Sequence, residues 1–145
     1  MATKITSFRR LSLVGGLAIV ASTIVNLIIR IIALTWLNVS PEFAPIGIGP
    51  VIFWSIIGGI GAVLVFYLIT RLSRQPLPVY VIIAFLVYVC TFIPDEILLS
   101  RNPPIFPGTT AEAVVVLMAM HAAEATIMLL TLVLAGRPKT RSRPQ

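Results

Sequence analysis

The sequence predicts an all-α fold: a polytopic membrane four-helix bundle with both termini in the cytoplasm. Three observations carry that expectation. First, 58% of the 145 residues are hydrophobic and 11% are charged, with a mean hydropathy of +1.03, whereas a soluble domain is about 45–50% apolar and about 25% charged. Second, four apolar runs reach the roughly 20 residues that a helix needs to cross a hydrocarbon core. Third, the segments between those runs are rich in proline and glycine, which interrupt helices. Backbone groups cannot go unpaired in lipid, and the runs are too long for barrel strands, so the spans are helical.

The first helix is expected over about residues 11–37, after a basic tail (1–10) carrying Lys4, Arg9 and Arg10. This start resembles a secretory signal. A signal's apolar core is only about 7–15 residues, however, and the run continues past Ala21 and Ser22 to Leu37, so a retained helix is expected. Pro41, Pro45, Gly47 and Gly49 mark the connection to a second helix at about 50–72. The turn holding Pro76 and Pro78 is short, which predicts antiparallel neighbours and a third helix at about 77–98. Pro103, Pro104, Pro107 and Gly108 precede the fourth, at about 111–134, where Thr109 or Thr110 can cap the N-terminus and Glu112 favours its positive end. The basic tail 136–145 is expected to be disordered.

Orientation follows from lysine and arginine. The N-terminal tail has three, the short turn two (Arg71, Arg74) and the C-terminal tail four, whereas the first and third connections share only Arg101. That asymmetry predicts cytoplasmic termini in a bacterial inner membrane. It also accounts for the net charge of +6, so nucleic acid is not an expected partner. The lipid bilayer is one, and docking on another membrane protein or on a second copy is left open. The formal sequon Asn38-Val39-Ser40 is followed by Pro41 and is not expected to be used. Cys90 is the only cysteine and is expected to be a small buried apolar residue.

Residues three or four apart share a helix face. Gly15, Ala18, Ser22, Asn26, Arg30 and Ala33 align in the first helix, and Ser55, Gly59 and Ala62 in the second. Tyr80, Ala84, Tyr88, Thr91 and Asp95 align in the third, and Val114, Leu117, His121, Glu124, Met128 and Thr131 in the fourth. Small and polar residues mark where membrane helices meet, so these stripes are expected to face inward. The glycines Gly58, Gly59 and Gly61 are expected to let a neighbouring helix approach. At 1.5 Å per residue from the flanking charges, Asn26, Thr91 and His121 come out about 24–25 Å up, Glu124 about 20 Å, and Arg30 and Asp95 about 30 Å. Asn26, Arg30, Thr91, Asp95, His121 and Glu124 therefore form the candidate polar cluster, in the outer half of the bundle. A lone charge near the bilayer centre costs about 2.5–3.5 kcal/mol on insertion scales. Arg30 could offset Asp95, Glu124 or both; pairing with Asp95 would leave Glu124 to His121.

The run GPVIFWSIIGGIGAVLVFYLITR in the second helix, FIPD (Phe92–Asp95) in the third and LMAMHAAEA (Leu117–Ala125) in the fourth, with Asn26 in the first, resemble the bacterial four-span membrane proteins of domain-of-unknown-function family 6069. The similarity runs from Leu13 to Leu134 and rests most on Pro94-Asp95 and Met120-His121. It implies the four-span architecture and picks out Asn26, Asp95 and His121, while Glu124 stands where the resemblance implies a small or apolar residue. It supplies no activity.

The leading functional expectation is an integral membrane protein of unknown biochemical function. Its polar cluster would hold the helices in register or serve an accessory subunit. A small proton- or solute-linked transporter is an alternative, and a quinone or other lipophilic-ligand module a further one. An enzyme is not expected. No cofactor or metal is indicated, since one histidine and one cysteine make no ligand set.

Overall fold

The computed structural model describes residues 8–136. The expected tails, residues 1–7 and 137–145, lie outside the described residues. Four helices follow one another: α1 (Phe8–Thr35), α2 (Ile48–Leu72), α3 (Pro76–Ser100) and α4 (Ala111–Gly136), with a 3-10 turn at Ala44–Ile46 before α2. Each is long and apolar enough to cross a membrane, and no strand occurs among the described residues. The chain is thus a multi-pass membrane protein with an all-α fold. α1 begins at Phe8, so Arg9 and Arg10 belong to its first turn rather than to a tail.

Helix ends follow local chemistry. Asn38 adopts a left-handed backbone (φ 53°) just past α1, a conformation that asparagine tolerates better than most residues. Pro76 starts α3, and Thr110 Oγ1 accepts the Ala113 N–H (3.2 Å) to cap α4. Pro94 sits inside α3, which continues to Ser100.

The helices run up and down around a ring in which α1 packs on both α2 and α4, and α3 on α4, while the α2–α3 side is the sparsest. The α1–α2 side is tight. A Cβ on Gly59 would lie 2.5 Å from Ile19 Cγ1, and one on Gly15 would lie 2.5 Å from Val63 Cγ2. Here the small residues do bring the backbones together.

Two apolar cores lie at opposite ends. At the end of the α2–α3 turn, Leu11, Ala18, Phe66, Ile69, Tyr80, Met128 and Leu132 fill the bundle. Phe66 meets Tyr80 edge to face, with centroids 4.9 Å apart. At the end of the two longer connections, the α1–α2 loop folds inward. Its Val39, Phe43 and Ile46 pack against Ala33, Val51, Ala113, Val116 and Met120.

The α1 and α2 stripes are the buried faces, Arg30 and Ala62 being half-buried. The α3 stripe also faces inward, and α4 differs from expectation in part. α4 buries Val114 and Met128 of the expected stripe together with Ala113, Val116, Met120, Leu132 and Ala135 beside it, while Leu117, His121 and Glu124 stay half-buried. On α3, Tyr80 and Asp95 of the expected stripe are buried and Ala84, Tyr88 and Thr91 half-buried, with Pro76 buried at the helix start. Cys90, expected inside, is exposed on α3; where lipid is the solvent, a small apolar side chain is as well placed outside as in a core.

Candidate functional site

Between the two cores lies a half-open cavity of about 560 Å³. Its walls are the first half of α2 (Pro50, Val51, Trp54, Ser55) and the last half of α3 (Pro94, Asp95, Leu98), which antiparallel packing brings to the same end. Leu117, Met120, His121 and Glu124 of α4 form its back, and Asn26 of α1 reaches it. Ala44, Pro45 and Phe106 close it at the loop end. Trp54 is 64% exposed, at the side of the bundle between α2 and α3.

Asn26 ties three helices together. Its amide nitrogen donates to Ser55 Oγ on α2 (2.9 Å) and to Glu124 Oε2 on α4 (3.3 Å). Gly58 makes room for the same carboxylate, since a Cβ there would lie 2.7 Å from Glu124 Oε1. Any larger residue at position 58 would displace the acid.

His121 and Asp95 form the second group. His121 Nδ1 lies 2.9 Å from the Leu117 carbonyl oxygen and 3.4 Å from Asp95 Oδ2. A carbonyl can only accept, so the bond to Leu117 puts the proton on Nδ1 and leaves Nε2 as an acceptor when the ring is neutral. The histidine side chain is 35% exposed and that of Asp95 only 2%.

Two buried polar atoms on this cavity have no hydrogen-bond partner among the described residues: Asn26 Oδ1 and Asp95 Oδ2. Buried polar atoms are nearly always satisfied, because leaving one unpaired costs roughly 1–3 kcal/mol. The rest of the lining is largely apolar. Among the described residues no lysine or arginine lines the cavity, and they contain no group of three histidine, cysteine or acidic side chains arranged for a metal ion.

The structure brings four of the six candidate residues, Asn26, Asp95, His121 and Glu124, onto one cavity. The other two lie apart from it. Arg30 donates from Nε to the Ile46 carbonyl (2.8 Å), so it straps the 3-10 turn onto α1 instead of pairing with Asp95 or Glu124. The end of a helical turn leaves carbonyls without partners, and that turn comes down beside Arg30. Thr91 donates to the Tyr88 carbonyl of its own helix (2.6 Å). The acids therefore have different partners from those the depth count offered: Asp95 has His121, and Glu124 has Asn26. Ser55 and Gly58 complete the Glu124 group and were not among the candidates. Ser55 carried a signal, since it opens the α2 stripe and can bond. Gly58 lies next to that stripe, and nothing in its spacing marks it as facing an acid.

The chain belongs to a family of unknown function, DUF6069, whose model matches residues 6–138. The resemblance seen in Asn26, Pro94-Asp95 and Met120-His121 is therefore to the right family, and the match extends past both ends of Leu13–Leu134. No curated protein and no solved structure matches the chain.

Proposed function

We propose that this protein is a membrane-embedded binding module for a small amphiphilic molecule, which reaches the cavity sideways from lipid between α2 and α3. The observation that carries this reading is the combination of a half-open, mostly apolar space of about 560 Å³ with buried polar atoms left unpaired on its wall. Ligand sites characteristically pair an apolar lining with a few convergent polar groups. A purely structural cluster would be closely packed and internally satisfied, and this one is neither. A transport route through a single chain is disfavoured, because Phe66, Ile69, Tyr80, Met128 and Leu132 fill the bundle beyond the cavity. We read the protein as a binding protein, not an enzyme. On the charge asymmetry of its loops, the termini are cytoplasmic and the cavity lies in the outer half of a bacterial inner membrane.

The test is photolabelling in phosphatidylcholine nanodiscs with a long-chain alcohol bearing a diazirine near its hydroxyl. Saturable labelling concentrated on Trp54, Leu98 and Leu117, displaced by excess unlabelled alcohol, is expected. Labelling spread evenly over outward residues of α3 such as Phe85 and Ile93 would overturn the reading.

A further inference from the structure

Resting on that binding reading, we infer that the cavity selects a primary or secondary ammonium head group on an apolar tail. Asn26 has already placed its amide hydrogens on Ser55 and Glu124, and His121 has placed its Nδ1 proton on Leu117. The unpaired buried atoms on the residues that line the cavity are both acceptors. Asn26 Oδ1 and Asp95 Oδ2 are buried at 3% and 2% residue exposure and have no hydrogen-bond partner among the described residues, Asp95 Oδ2 having only the His121 ring at 3.4 Å. Glu124 adds a carboxylate that takes hydrogen bonds from the Ser55 hydroxyl and, at 3.3 Å, from the Asn26 amide, and the Nδ1–H tautomer of His121 adds Nε2.

A ligand that itself only accepts, such as a quinone with its two carbonyls, finds little to bond here. An ammonium brings donors and a positive charge. The charge is wanted as well: two carboxylates line the cavity without a lysine or arginine beside them, because Arg30 is turned toward the Ile46 carbonyl. In a low-dielectric site a charge-assisted hydrogen bond is about twice as strong as a neutral one. The apolar remainder, from Val51 and Trp54 to Leu98 and Phe106, suits an alkyl or aryl tail.

The experiment is competition against the diazirine alcohol in the same nanodiscs. The competitors are dodecylamine, dodecanol, dodecyltrimethylammonium and a short-chain ubiquinone. Dodecylamine is expected to protect the cavity at about tenfold lower concentration than the other three, the difference one charge-assisted hydrogen bond makes. Asp95→Asn and Glu124→Gln are each expected to weaken that protection about tenfold, with folding of the variants checked by thermal unfolding. Trp36→Phe, on a residue outside the cavity, is expected to leave it unchanged. Equal protection by the trimethyl compound, the alcohol or the quinone would overturn the head-group inference while leaving the binding reading standing. The wild-type panel decides this even if a variant fails to fold. Absence of any saturable labelling in the cavity would instead remove the binding reading itself.

Discussion

The two halves of the bundle use the same four helices and arrive at different interiors. At the end of the α2–α3 turn, the short connection holds α2 and α3 together, and Phe66 and Tyr80 interlock with Met128 and Leu132 into a filled core. At the other end α2 and α3 are not joined to each other. Each is tied instead to a long loop, and the space between them is the cavity. The apolar loop core there, built on Phe43 and Ile46, closes the top of the bundle without filling the gap below it. The difference shows that a membrane bundle can be stabilised at one end and left open at the other. In lipid, packing rather than water exclusion holds helices together, so a seam can stay open with its apolar residues exposed.

The filled end is where a truncation should hurt most. Phe66 is fully buried, and Phe66→Ala is expected to lose about 3 kcal/mol or more by leaving a void that the neighbours cannot close. Unfolding of purified protein in mixed micelles measures it. A loss under 1 kcal/mol would mean that the two ends are alike. Next comes the tight α1–α2 side. Gly59→Val places its Cβ 2.5 Å from Ile19 Cγ1, and the overpacking is expected to cost about 1–3 kcal/mol. Gly61→Ala is the control: a Cβ there meets nothing within 4 Å.

The cavity half should respond less to the same kind of change. Leu117 already faces open space on one side, so Leu117→Ala is expected to cost only about 1 kcal/mol, below the 2.7–5.0 kcal/mol of fully packed leucines in a soluble protein of known mutational series. A cost equal to that of Phe66→Ala would show the space to be closed in solution.

This contrast also explains what could be read from the chain. The four spans were legible because apolar length and proline-rich connections are local signals. The inward faces of α1 and α2 were legible because small residues such as Gly15 and Gly59 sit where helices meet, although Gly61, expected to do the same, meets nothing within 4 Å. The α4 face was legible at its ends, where Val114 and Met128 are buried, but not at its middle: His121 and Glu124 look inward-facing under a rule that assumes every polar stripe meets a helix, and here they meet a cavity while residues beside them such as Met120 carry the packing. The partners of the acids were out of reach for a related reason. Depth along each helix can be counted, but Arg30 is taken by a carbonyl from a loop whose fold no periodicity reveals.

The smallest expected effect is the one that separates glue from site. If the polar groups held the bundle together, removing one would cost as much as removing core packing. Asp95 is buried, yet its Oδ2 has no hydrogen bond among the described residues, and its ion-pair partner, His121, is partly exposed. Asp95→Leu therefore removes a poorly satisfied carboxylate and puts apolar volume beside an open space. Removing one partner of a buried pair costs about 3–5 kcal/mol when it strands the other charge away from water, and the 35% exposure of His121 avoids that cost here. The expectation is a change within about 0.5 kcal/mol of zero or a gain in stability, together with loss of dodecylamine protection. That pairing, a side chain dispensable for the fold and needed for the ligand, is what a retained but uncompensated buried acid implies. A loss of 3 kcal/mol on Asp95→Leu would return the cluster to a structural role and make the two halves of the bundle variants of one packed core.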